Sequence, residues 1–203
     1  MKKFRQEKIN DWQELPELKF EKIREEVKKI PHIDDGIVET VAALRAHGFA
    51  TNWSCSGHPE GYETEEGHHI DAAGFDSLAP DVRIAVPGVE ELRLAKDGLP
   101  DDDDDASRKY NSKVYERLNG LALKYELGLA TLLEEFYRDR HISYGAMIHF
   151  FPDSAYEFWI ENNGRRALKF FTRDDQQKAA KLFKKEFDAF TEFLKKKFFE
   201  SAR

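Results

Sequence analysis

A chain of 203 residues, 35% charged and 40% hydrophobic with a net charge of −7, has the balance of a soluble globular protein long enough to bury one core, read as a single domain over 1–203. No apolar run approaches the roughly 20 residues a membrane-crossing helix needs, which excludes a membrane partner, and the acidic balance disfavours nucleic acid, whose phosphates demand a dense cationic surface. The basic opening is not followed by the apolar segment of a secretory signal, so the expected location is the cytoplasm, and one cysteine excludes both an internal disulfide and a zinc site built from two thiolates of one chain.

In chain order, residues 1–31 read as an N-terminal helical extension. Leu15, Leu18, Ile23, Val27 and Ile30 recur at helical spacing, Pro16 suits a first turn, and Pro31 ends a helix over 16–30. Asp34 or Asp35 then caps a helix over 36–47 whose apolar face is Ile37, Val38, Val41 and Leu44, with Gly48 as its stop. This helix delivers the chain to a strand at 49–54. From Pro59 to Asp76 there is no periodicity, only glycines among glutamates and histidines, which predicts a long loop over the strand's end. A second strand follows at 81–86, closed by Pro87 and Gly88, and a short strand is favoured over 90–96.

Five consecutive aspartates make 98–106 an acidic flexible loop, after which Ser107 caps a helix over 108–138 with Leu118, Leu121, Tyr125, Leu129, Leu132 and Phe136 at helical spacing. Gly120 and Gly128 within it mark a close approach or a kink. Strands at 143–151 and 155–162 flank a Pro152-Asp153-Ser154 turn, and Asn163-Gly164 leads to a third strand of the meander at 167–172. A helix over 174–200 completes the chain. The fold class is therefore α+β, or mixed α/β: a mixed β-sheet of about five strands covered by several helices, the last one long. Phe183, Phe187, Phe190, Leu194 and Phe198 form one stripe suited to core packing; Phe193 and Phe199 lie off it and suggest a homodimer through the C-terminal helix. The lysines of this helix alternate with acids and read as a solvated face.

One stretch concentrates chemistry: Thr51-Asn52-Trp53-Ser54-Cys55-Ser56-Gly57-His58-Pro59. Around the Ser56-Gly57 turn, Cys55 and His58 come within reach of one another, which suits a Cys-His catalytic pair or two ligands of one metal. His68 and His69 in the following loop are further metal donors, with Glu60, Glu63, Glu65, Glu66 and Asp71 beside them, a set compatible with zinc. Adjacent histidines point apart in extended chain, so one of the two serves. Ser54, Ser56 and Gly57 offer hydroxyls and N–H groups to an anion, and Trp53 a stacking wall. No glycine-rich dinucleotide or Walker-type run occurs. Secondary candidates are Tyr144, His149 and Trp159 on the predicted hairpin, with His149 either partly buried beside Phe151 or turned towards Cys55. His32 and His47 stand at helix ends as dipole partners, and Arg165 and Arg166 read as solvent-facing or anion-binding.

Ser54-Cys55-Ser56-Gly57-His58, after a helix and Gly48, resembles the Ser-Cys-Ser-Gly motif of the wybutosine-synthesising tRNA methyltransferase family. It is also similar to the Ser-Cys-x-Gly-His motif of small bacterial and phage proteins. The likeness covers about ten residues, and His58 stands where the methyltransferases carry arginine. The first resemblance implies an α+β domain, S-adenosylmethionine as cofactor and an RNA substrate, with Ser54 to Gly57 near the ligand. Two functional expectations result: a small-molecule ligand or enzyme site at the Ser-Cys-Ser-Gly-His turn, or a non-enzymatic assembly protein using the Phe-rich helix.

Overall fold

Pro16 occupies the first position of helix α1 (Pro16–Val27), where its missing N–H breaks no intrahelical bond. The computed structural model describes residues 15–31, 33–58, 62–63, 69–70, 78–89 and 105–201. Phe20 and Val27 of α1 are buried, and the Phe20 ring lies 6.1 Å from Phe198 and 5.7 Å from Phe199, so the N-terminal helix shares the core of the C-terminal one. Asp34 accepts from Gly36 N–H at 2.8 Å and caps a 3-10 turn that feeds α2 (Val38–Ala46). Gly48, at φ +88°, ends α2 in a conformation that side chains rarely adopt. Arg45 at the helix end donates to both Thr51 Oγ1 and the Thr51 carbonyl, at 2.9 and 2.7 Å, fixing where the first strand begins.

Strands β1 (Thr51–Cys55), β4 (Asp81–Ala85), β5 (Ile148–Ser154) and β6 (Glu157–Asn162) form an antiparallel sheet in the order β1-β4-β6-β5. Between β1 and β4, β2 (Tyr62–Glu63) and β3 (His69–Ile70) make a separate antiparallel pair. One face of the four-stranded sheet carries Val82, Ile84, Ile148, Phe158 and Ile160 into a core shared with α2, α3 (Asp105–Tyr137) and α4 (Arg173–Ser201). The stripe Phe183, Phe187, Phe190, Leu194 and Phe198 is buried in full. Each such side chain contributes about 1.5–3 kcal/mol. Phe193 and Phe199 pack against the same core, and the Phe193 ring sits 5.3 Å from Phe136. Gly128 marks a close approach: a Cβ there would meet the Phe49 ring at 3.1 Å.

Several expectations need correction. The sheet has four strands, not five, because 167–172 falls largely in a 3-10 helix (Arg165–Phe170). Gly164 has φ −83° and so makes no two-residue hairpin turn of the type Asn-Gly suggests, which needs positive φ. Its lack of a side chain serves contact instead, since a Cβ would lie 2.9 Å from both the Gly145 carbonyl and the Phe183 ring. Pro152, Asp153 and Ser154 belong to β5 rather than to a turn; Pro152 still faces Phe158, and as β5 is an edge strand the missing N–H is tolerated. Ser143 to Ala146 precede that strand, residues 144–146 forming a 3-10 turn. Ser107 lies inside α3, which Asp105 opens, and is not its cap. The long loop over 59–76 contains the β2–β3 pair. The strand expected over 90–96, the acidic loop up to residue 104, and His32 lie outside the described residues. Among the described residues no helix is long and apolar enough to cross a membrane.

Candidate functional site

Ile33 forms a parallel bridge with Ser54, so the segment before α2 runs along the free edge of β1. Side chains alternate along extended chain; the residue after Ile33 and the residue after Ser54 therefore turn to the same side. Asp34 and Cys55 meet there, and the turn through Ser56 and Gly57 returns His58 to them. Donor atoms of Asp34, Cys55 and His58 all lie within 4.8 Å of one another. Gly57 makes the return geometrically feasible: φ is +81°, and a Cβ would stand 3.0 Å from the Ala79 and Pro80 backbone. Gly36 does the same in the 3-10 turn that follows Asp34, where a Cβ would approach the Ser56 side chain to 2.7 Å.

The electrostatics separate the three donors. Burial pushes the Asp34 carboxyl up, but the Gly36 N–H, the Ser56 hydroxyl and His58 together outweigh it and hold Asp34 below its ordinary value. His58 Nε2 lies 2.6 Å from Asp34 Oδ2, with both side chains partly exposed. Cys55 is 8% exposed, and burial raises its thiol to about 11; the Gly57 N–H, donating to Sγ at 3.4 Å, opposes this, while the charges of Asp81 and Asp34 add to it. A reactive thiolate needs a lowered pKa, which this surrounding does not supply. A divalent cation placed among the three donors reverses the balance, because its charge stabilises the thiolate that Asp34 and Asp81 otherwise oppose.

The remaining predicted residues are dispersed. Ser56 joins the cluster through Asp34, and Gly57 through the sulfur. Ser54 alternates to the helix side of β1, where its hydroxyl is buried without a hydrogen-bond partner among the described residues. His149 shares the outward face of the sheet with Cys55, but the register Cys55–Asp81–Glu161–His149 places it at the far edge. Three interstrand spacings amount to roughly 14 Å, so the two do not meet. His149 stacks on Phe151 at 5.5 Å, and burial holds its imidazole below the ordinary value, Arg166 adding to that and Glu161 opposing it. Tyr144 is 77% exposed. His47 stands at the C-cap of α2, and its Nε2 donates to the Leu194 carbonyl at 2.9 Å, which ties α2 to α4. His68 lies outside the described residues, and of His69 only its place in β3 is described.

Arg165 corrects the expectation of a solvent-facing side chain. It is 5% exposed, forms an ion pair with buried Asp81 and donates to Glu161 Oε2 at 2.8 Å, because the 3-10 helix folds back over the end of β6. Arg166 is exposed as expected and donates to Glu161 Oε1 at 3.1 Å. Trp53, read as a stacking wall, stands on the outward face in the row Trp53–Arg83–Trp159–Phe151. Sequence reasoning missed Asp34 as a site residue, having assigned it only a capping role, and it missed Asp81 and Glu161 entirely. The Asp34 signal was present in the cap; its pairing with Cys55 needs the long-range bridge at Ile33. No family model, curated protein or solved structure matches this chain.

Proposed function

We propose that the protein binds a divalent transition-metal ion through Asp34, Cys55 and His58 and presents it to a small ligand. The convergence of three metal-type donors within 4.8 Å carries this reading. A carboxylate, a thiolate and an imidazole form a borderline donor set that suits zinc or cobalt(II), and three protein ligands leave a coordination position for water or a ligand. Asp34 is already oriented by the Gly36 N–H and the Ser56 hydroxyl, the kind of support that tunes a ligating carboxylate. Metal binding displaces the His58–Asp34 contact and releases the Cys55 proton, so affinity rises with pH.

Titration of the purified, chelator-treated chain with cobalt(II) tests this. One equivalent is expected to produce a thiolate-to-cobalt charge-transfer band that zinc abolishes. Cys55→Ser removes the band, and Asp34→Asn or His58→Gln weakens binding by at least about tenfold. A titration without the band in the folded wild-type chain overturns the reading.

A further inference from the structure

Three protein donors leave the proposed metal a coordination position for a ligand, and the same face of the sheet carries a pocket beside it. Trp53 precedes Cys55 by two residues on β1, so both side chains turn outward, roughly 7 Å apart along the strand. Trp53 and Trp159 stand two strands apart, yet their rings meet over Arg83 at 5.2 Å and 73°. This edge-to-face contact makes a corner rather than a shelf: a planar ring laid on one indole meets the other side-on. With Phe151 the two indoles line a pocket of about 550 Å³, within the roughly 300–1,000 Å³ typical of small-molecule sites.

The polar part of the lining is tied into the same row of the sheet as the thiol. Glu161 lies two strands across from Cys55 in the row Cys55–Asp81–Glu161. It accepts from Arg165 at 2.8 Å and from Arg166 at 3.1 Å, and Arg165 pairs as well with Asp81, the cross-strand neighbour of Cys55. The Arg166 guanidinium also lies 4.3 Å over the Phe151 ring. These side chains hold one another, so what the pocket offers a ligand is its shape and its half-buried indole faces.

We infer that the ligand of the metal is a molecule that carries one metal-donor group and a planar aromatic ring on a short arm, the ring seated in the corner between Trp53 and Trp159. This rests on the metal reading and adds to it the class of molecule that the open coordination position takes. The juxtaposition on β1 carries it: a wall of the aromatic pocket and a metal ligand share one strand and one face, two residues apart. An arm of about four single bonds of roughly 1.5 Å, with a metal–donor bond of about 2 Å, spans that separation. A donor alone gains only the ion and a ring alone only the indoles. A molecule that joins them at the matching length makes the second contact intramolecular and binds most tightly.

The test titrates the cobalt(II)-loaded chain with hydroxamates, read by the visible cobalt spectrum and by the indole N–H resonances. The probes are acetohydroxamate, which has no ring, benzohydroxamate, whose ring has almost no arm, phenylpropanohydroxamate, and cyclohexylpropanohydroxamate, whose ring is not planar. Phenylpropanohydroxamate is expected to bind at least about tenfold more tightly than acetohydroxamate, and more tightly than the other two, with both the cobalt spectrum and the Trp53 and Trp159 resonances shifting. Trp159→Leu is expected to bring phenylpropanohydroxamate to within about twofold of acetohydroxamate while acetohydroxamate itself binds as before. The wild-type comparisons decide the matter if that variant does not fold. A wild-type chain without the thiolate-to-cobalt band overturns the metal reading and this inference with it. With the band present, the inference alone is overturned if phenylpropanohydroxamate binds no more tightly than acetohydroxamate, if the cyclohexyl or benzo compound binds as tightly, or if folded Trp159→Leu keeps the preference.

Discussion

At the scale of single residues, burial disfavours the charged form of two groups on the outward face of the sheet: it pushes the Cys55 thiol up and the His149 imidazole down. For His149 this has a pH consequence of definite sign. Its folded-state pKa is lower than the ordinary 6.5, so the unfolded chain binds the proton more readily. Its contribution to stability is therefore complete above about 6.5 and is lost as pH falls from there towards the lower folded value. Denaturant melts of the wild type and His149→Gln at pH 8 and about pH 5 check this. The difference between them should move in the variant's favour at the acid end; a difference independent of pH would remove the assigned state. His149 was visible in the sequence as a half-buried residue beside Phe151. Its distance from Cys55 was not, because strand order separates them and no local pattern encodes strand order.

At the scale of elements, the metal candidate depends on two extended segments held side by side and two glycines that let them approach. The cap Asp34-Asp35-Gly36 was legible as a helix start, since an aspartate accepting a backbone N–H is local chemistry. What made Asp34 a site residue is its neighbour Cys55, reached through the bridge between Ile33 and Ser54. Gly36→Ala probes that approach directly. The new methyl group would sit 2.7 Å from the Ser56 side chain and drive its hydroxyl from Asp34. The expected cost is about 1–3 kcal/mol of stability by denaturant melt, and a roughly tenfold loss of cobalt(II) affinity from the disturbed carboxylate. Unchanged affinity would show that the Ser56–Asp34 contact does not orient a ligand. The same principle explains Gly164, whose place after Asn163 looked like hairpin chemistry but whose close contact with Gly145 and Phe183 is tertiary.

At the scale of the whole molecule, α1, α2, α3, α4 and one face of the sheet share a continuous hydrophobic core. Phe187 and Phe190, each no more than 1% exposed, lie at its centre. Phe187→Ala is expected to cost about 3–5 kcal/mol, a large part of the roughly 5–15 kcal/mol that holds such a domain folded. Far-ultraviolet circular dichroism and tryptophan emission should report one coincident transition, shifted together in the variant. Separate transitions would mean that the outward face, where Trp53 and Trp159 stand, unfolds apart from the helical core.

Helix periodicity, the stop at Gly48 and the burial of the Phe stripe were determined by the sequence alone, because each depends on residues within a few turns of one another and on which faces are apolar. Only the tertiary structure decided that Asp34 stands against Cys55, that Arg165 is buried over Asp81, and that two tryptophans from non-adjacent strands converge. Those relations join segments far apart in the chain, and the physical terms that select them are core burial, ion-pair desolvation and close packing at glycine. All three act between segments, so no local run of residues records their outcome.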